Sequence, residues 1–138
     1  MRYASSRTIH AAHSDCIAGH RLAQIRVVFS LPKRSRVAIF GDRTDIPEHL
    51  AYVEWFSPFK SAPEANSLLY KVNRSLDQDG HRISSIIPVS AIRQTLHLFP
   101  LANRTISDSR WTSTNVLDMC NLFLLNSFSS RYAYYTLV

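Results

Sequence analysis

Residues 22–32, LAQIRVVFSLP, alternate so that Ala23, Ile25, Val27, Phe29 and Leu31 form a wholly apolar set. Leu22, Gln24, Arg26, Val28 and Ser30 form the opposing, mixed set. A period of two puts each set on its own face of an extended chain, so the segment predicts a half-buried β-strand. Pro32 ends it, because proline has no N–H to give to a ladder. Apolar-rich runs follow at 49–59 (HLAYVEWFSPF), 67–75 (SLLYKVNRS) and 83–100 (ISSIIPVSAIRQTLHLFP), separated by turn-rich gaps. Together they predict a small β-barrel.

The remaining elements follow from local signals. Lys33–Arg36 is expected to turn the chain into a short strand over Val37–Phe40, stopped by Gly41-Asp42. Leu50–Phe56 carries aromatics on both faces, which predicts a strand that is central or covered on each side. Glu54 is the exception within it. Leu68–Val72, Ile83–Val89 and Leu96–Phe99 are the next strands, with Asn73–Gly80 as a polar turn and Pro88 marking an edge or a strand end. Ser90 can cap one helical turn over Ala91–Thr95. Val116, Leu117, Cys120, Phe123 and Leu124 fall at helical spacing. Ser113 or Thr114 would cap this C-terminal helix, with Asp118 near its N-terminal end. Such a helix is expected to cover an open barrel edge. Residues 1–20 read as an extended lead-in with one short strand near Arg7–His10, 21–100 as the β module, and 101–138 as loop, helix and tail. For Arg131–Val138, strand and frayed tail both stay open.

A chain of 138 residues is expected to form one domain. Hydrophobic content of 46% argues against wholesale disorder. No apolar run approaches the roughly 20 residues that span a bilayer, so no membrane association is expected. The stretch MRYASSRTIHAAHSDC has no apolar core of a secretory signal. A nuclear or cytoplasmic, non-secreted protein is therefore expected, with Cys16 and Cys120 as free thiols and the sequons at Asn73 and Asn103 unused.

Net charge is +6, and 13 of the 16 basic residues are arginine. Arginine pairs with phosphate in a bidentate way and stays charged, which makes nucleic acid a reasonable partner. The arginines are dispersed, and only Lys33-Arg34-Ser35-Arg36 is dense. Arg26, Lys33, Arg34 and Arg36 are the candidate phosphate contacts, although so short a basic cluster is more often a solvated loop.

Other chemistry finds little support. His10, His13, Cys16 and His20 have a spacing that tetrahedral zinc accepts, but a polar surface segment is the commoner meaning and no metal is assigned. Three glycines and no G-x-S-x-G leave neither a nucleophile elbow nor a phosphate-cradling loop. Asp77 and Asp79 read as turn residues. No catalytic residue, cofactor or small-molecule substrate is expected. Tyr52, Trp55, Phe56, Phe59 and Tyr70, with Glu54 among them, could cage a methylated ammonium or stack on bases. Tyr52, Trp55 and Tyr70 are the pocket candidates, though strand aromatics more often fill a core.

LAQIRVVFSLP, HLAYVEWFSPF, LYKVNRS, IIPVSAI with HLFP, and WTSTNVLDMC with LLNSF resemble, in that order, the C-terminal region of Plavaka-type transposases, a group of fungal cut-and-paste elements. The resemblance covers about His10 to Ala133. It implies a non-catalytic accessory module, because the acidic metal-binding residues of such transposases lie in a large upstream domain with no counterpart here. DNA, chromatin or the upstream transposase domain would be its partner; a degenerate element copy is the bland alternative. A second resemblance is to BAH-type chromatin domains. It rests on Tyr52 through Pro58, Leu69-Tyr70 and Ile87-Pro88 with Ile92 and His97, and departs at Leu96, where those domains usually carry cysteine. This likeness concerns shape and does not by itself establish histone binding. The alternative expectation of a chromatin-peptide reader rests on an aromatic pocket using Tyr52, Trp55 or Tyr70. The expected fold is thus mainly β: a small SH3/BAH-like barrel of five or six strands with a C-terminal helix.

Overall fold

The alternating runs do become strands, and the computed structural model describes them over residues 4–7, 20–41, 43, 45–60, 62–101 and 111–129. The chain is mainly β. Strands β1 (Ala4–Arg7), β2 (His20–Ser30), β3 (His49–Trp55) and β5 (Ser84–Pro88) form one antiparallel sheet in the order β1-β2-β3-β5. Strands β4 (Tyr70–Asn73), β6 (His97–Pro100) and β7 (Leu122–Asn126) form a second, in the order β4-β7-β6. The ladders close no barrel among the described residues.

A backbone seam joins the sheets. Just past β3, Phe56 pairs with Arg74, just past β4. The Ser57 N–H donates to the Asn73 carbonyl at 2.8 Å, and the Ser75 N–H donates to the Trp55 carbonyl at 3.0 Å. These bonds satisfy backbone groups that would otherwise be orphaned where one sheet gives way to the next.

Two cores follow from this arrangement. The larger gathers Leu22, Phe56, Tyr70, Val72, Leu96, Leu98, Leu117, Cys120, Phe123 and Leu125. Phe56 and Phe123 meet edge to face at 5.6 Å, a favoured ring geometry. The smaller gathers Ala23, Ala51, Val53 and Trp55, with Ile25, Ile87, Val89 and Ile92 packed against them.

Strand β2 departs from the alternation read in its sequence. Leu22, Ala23 and Gln24 are buried in succession, whereas Arg26, Val27 and Val28 are exposed. Its first half lies between the cores, with Leu22 in the larger and Ala23 in the smaller. A register shift between Ile25 and Val27 then absorbs Arg26 as an extra residue. Beyond such a bulge, each side chain changes face relative to the simple pattern. Ala23 and Ile25 meet the smaller core, but Val27 and Phe29 sit on the other face.

Three further expectations are corrected. Val37–Phe40 is not a strand: Lys33–Phe40 is helix α1. The Arg36 N–H donates to the Pro32 carbonyl at 3.0 Å to close its first turn, and Gly41, at φ 67°, ends it. The C-terminal helix is a single turn, α2 (Val116–Met119), and the following apolar run is β7. Phe123 and Leu125 point into the larger core while Leu122, Leu124 and Asn126 are half-buried, a period of two within a run too short for periodicity to decide. The strand therefore fills the centre of the second sheet, where a helix was expected to cover an edge. Third, the turn after β5 is a 3-10 turn at Val89–Ala91 without a Ser90 cap bond. His10, the end of the expected first strand, lies outside the described residues, as does the tail from Arg131. No helix among the described residues is long and apolar enough to cross a membrane.

Candidate nucleic-acid interface

Helix α1 occupies the connection between β2 and β3. The last rung of that hairpin is the Leu31 N–H donating to the Glu48 carbonyl at 3.2 Å, so α1 sits at the hairpin's far end. It buries none of its residues. Lys33 and Arg34 are exposed and Arg36 is half-buried, with one guanidinium nitrogen donating to the Ile46 carbonyl at 3.4 Å. None of the three pairs with a carboxylate among the described residues. All stand in the first half of the helix, and no acidic residue occupies its first turn. Cations there oppose the helix dipole, so local stability does not explain them.

Arg26 belongs elsewhere. Its Nε lies 3.3 Å from Glu54 and its Nη1 donates to Asp118 at 2.8 Å. It is part of a charged knot beside the seam. Arg82 Nη1 donates to Glu54 and Asp118, at 2.8 Å each, and its Nη2 to the Asp118 carbonyl at 2.8 Å. Arg74, only 6% exposed, donates from Nη2 to the Gln24 side-chain oxygen and to the Leu117 carbonyl. Its Nη1 lies 3.8 Å from Glu54. Three arginines thus surround two carboxylates.

Burial gives these charges their character. Desolvation, aided by the neighbouring Arg82 charge, pushes Arg74 down to about 10 against the pull of Glu54 and Asp118. The hydrogen bond from Arg82, and then the charge of Arg26, hold the Asp118 carboxyl below its ordinary range against mild desolvation. The knot spans Gln24 and Arg26 on β2, Glu54 on β3, Arg74 and Arg82 beyond β4, and Asp118 on α2. Charges paired this way hold elements in register. Sequence reasoning missed Arg74, Arg82 and Asp118 as partners. The signal was Glu54, a carboxylate amid apolar strand residues, which needs a cation once buried.

The aromatic candidates do not converge. Trp55 lies in the smaller core and Tyr70 in the larger. The Arg21 guanidinium already stands 4.6 Å from the centroid of the Trp55 ring, whose Nε1 donates to Ser85 at 2.9 Å. Tyr70 meets Phe59 edge to face at 5.9 Å. Tyr52 is half-buried between Val27 and Ile86 in register. Phe56 is buried beneath Arg74, 4.4 Å from the guanidinium.

Of the zinc candidates, His10, His13 and Cys16 lie outside the described residues, and His20 is the half-buried first residue of β2. Asp77, Asp79 and His81 bring donor atoms within 4.8 Å of one another, all exposed. Asp77 Oδ1 accepts the N–H groups of Asp79 and His81, which is a turn role. Cys120 is buried as a free thiol. No family model, curated protein or solved structure matches the chain.

Proposed function

We propose that this chain is a non-catalytic, DNA-binding accessory module of a fungal transposase-like protein, acting in the nucleus and gripping the phosphate backbone with Lys33, Arg34 and Arg36. The observation that carries the reading is their concentration in the first half of a helix that has no fully buried residue and stands at the end of a hairpin. Cations that pair with no carboxylate among the described residues can meet a surface outside the fold, whereas Arg26, Arg74 and Arg82 already neutralise Glu54 and Asp118. Arg26 therefore leaves the list of phosphate contacts.

Binding to a random-sequence duplex across a salt series tests this. Lys33→Ala/Arg34→Ala/Arg36→Ala should weaken binding and lower the salt slope by about 3. Unchanged affinity and slope in a folded triple variant would remove the reading. The chromatin-peptide alternative gains nothing from Trp55 and Tyr70, whose rings are buried in separate cores. A methyl-lysine peptide is expected to leave Trp55 fluorescence unchanged.

A further inference from the structure

The second half of α1 is as unusual as the first. Val37 is 48% exposed, Ile39 63% and Phe40 38%, on a helix with no buried residue. Lys33, Arg36, Val37 and Phe40 stand at i, i+3, i+4 and i+7, so they share one stripe about 12 Å long. A partner facing that stripe must offer negative charge at one end and apolar surface at the other. The opposite side carries Arg34, Ala38 and Ile39, a mixture that breaks up any continuous apolar face. A helix lying flat in a membrane surface needs its apolar and charged residues segregated on opposite sides along its length. Here the two classes succeed one another along the axis. Duplex DNA offers the matching succession: phosphates at the rim of a groove, and the apolar faces of bases once a step is unstacked.

We propose that Val37 and Phe40 form a wedge that enters the minor groove and bends the duplex while Lys33 and Arg36 hold the flanking phosphates. This rests on the DNA-binding reading above and specifies its substrate: duplex with a readily unstacked pyrimidine–purine step. Charge complementarity places the groove rim at Lys33 and Arg36; the apolar end of the stripe then points past the rim toward the bases.

The test uses the full chain and an end-labelled duplex of roughly 25 base pairs with a central TA step, read by energy transfer between its ends. Binding of the wild-type protein should bring the ends closer. Val37→Ser/Phe40→Ser should keep the salt slope, lose the bend and bind about tenfold more weakly. Ile39→Ser, on the other side of the helix, should still bend the duplex. A wild-type complex with straight DNA, or a bend that survives Val37→Ser/Phe40→Ser, would overturn the wedge while leaving phosphate binding intact. If Val37→Ser/Phe40→Ser instead abolishes attachment to phosphatidylserine vesicles and leaves DNA binding unchanged, the stripe serves a membrane surface and the wedge is wrong. Insensitivity of DNA affinity to Lys33→Ala/Arg34→Ala/Arg36→Ala would bring down the parent reading too. None of these residues is fully buried, so circular dichroism should be unchanged in every variant.

Discussion

Arg74 and Phe56 meet twice: their backbones pair where the two sheets join, and the Arg74 guanidinium lies 4.4 Å from the centroid of the Phe56 ring. The ring forms a wall of the larger core, while the guanidinium faces Gln24, Glu54 and the Leu117 carbonyl. One residue thus fixes strand register, covers an aromatic face and anchors the charged knot. Arg74→Ala should destabilise the fold by about 3 kcal/mol, because it leaves Gln24 and Glu54 short of a buried partner. Denaturant unfolding measures this, and a loss below about 1 kcal/mol would show that the seam does not depend on the side chain.

Glu54 is the buried carboxylate shared by Arg26, Arg74 and Arg82. Glu54→Gln removes its charge at nearly constant volume and leaves Arg74 buried with less compensation. A destabilisation of about 3 kcal/mol is expected, most of which should disappear in an Arg74→Met background. A double-mutant cycle reads the coupling directly; additive losses would mean that the two do not act together.

Acid should loosen the knot. The folded state holds the Asp118 carboxyl below its ordinary range, so its contribution is complete above about pH 4 and is lost as pH falls through the lower folded value. Asp118→Asn should flatten that acid limb of the stability profile. At the alkaline end the Arg74 guanidinium gives a slope of the same sign. Its folded value is pushed down to about 10, so the unfolded chain binds more protons above that point and the Arg74 contribution rises with pH. Thermal melts between pH 2.5 and 7, compared for wild type and Asp118→Asn, check the acid limb; parallel curves would contradict it.

Phe123 sits at the centre of the second sheet, 1% exposed and edge-on to Phe56. Phe123→Ala should cost about 3–5 kcal/mol through lost burial and the cavity left behind. A loss below about 1 kcal/mol in the same unfolding measurement would contradict its place in the larger core.

How far the sequence could be read depended on what each signal contained. Leu50–Phe56 was legible as a strand covered on both faces because its aromatics alternate on each side, and Trp55 and Phe56 do lie in opposite cores. The stop at Pro32 and the break at Gly41 were legible from backbone chemistry alone. The bulge at Arg26 was not, since only pairing with β3 reveals an extra residue. Strand β7 was hidden because Leu122–Asn126 is short, apolar and preceded by a true helical turn. Helix α1 was missed because β-branched Val37 and Ile39 favour a strand, a preference that the turn begun at Pro32 overrides. For the site, the basic cluster was visible as residues, but its isolation on an uncovered helix was not. The pairing of Arg26 depends on Asp118, 92 residues away, and no local pattern records such a contact.

The most direct test of DNA binding through α1 is a titration of the isotope-labelled chain with duplex DNA, followed by amide chemical shifts. Shifts concentrated on residues 33–40 and their flanks, fading as salt is raised, are the expected result. Shifts centred on Lys60, Lys71 or Arg93, or none in a folded chain at low salt, would contradict it.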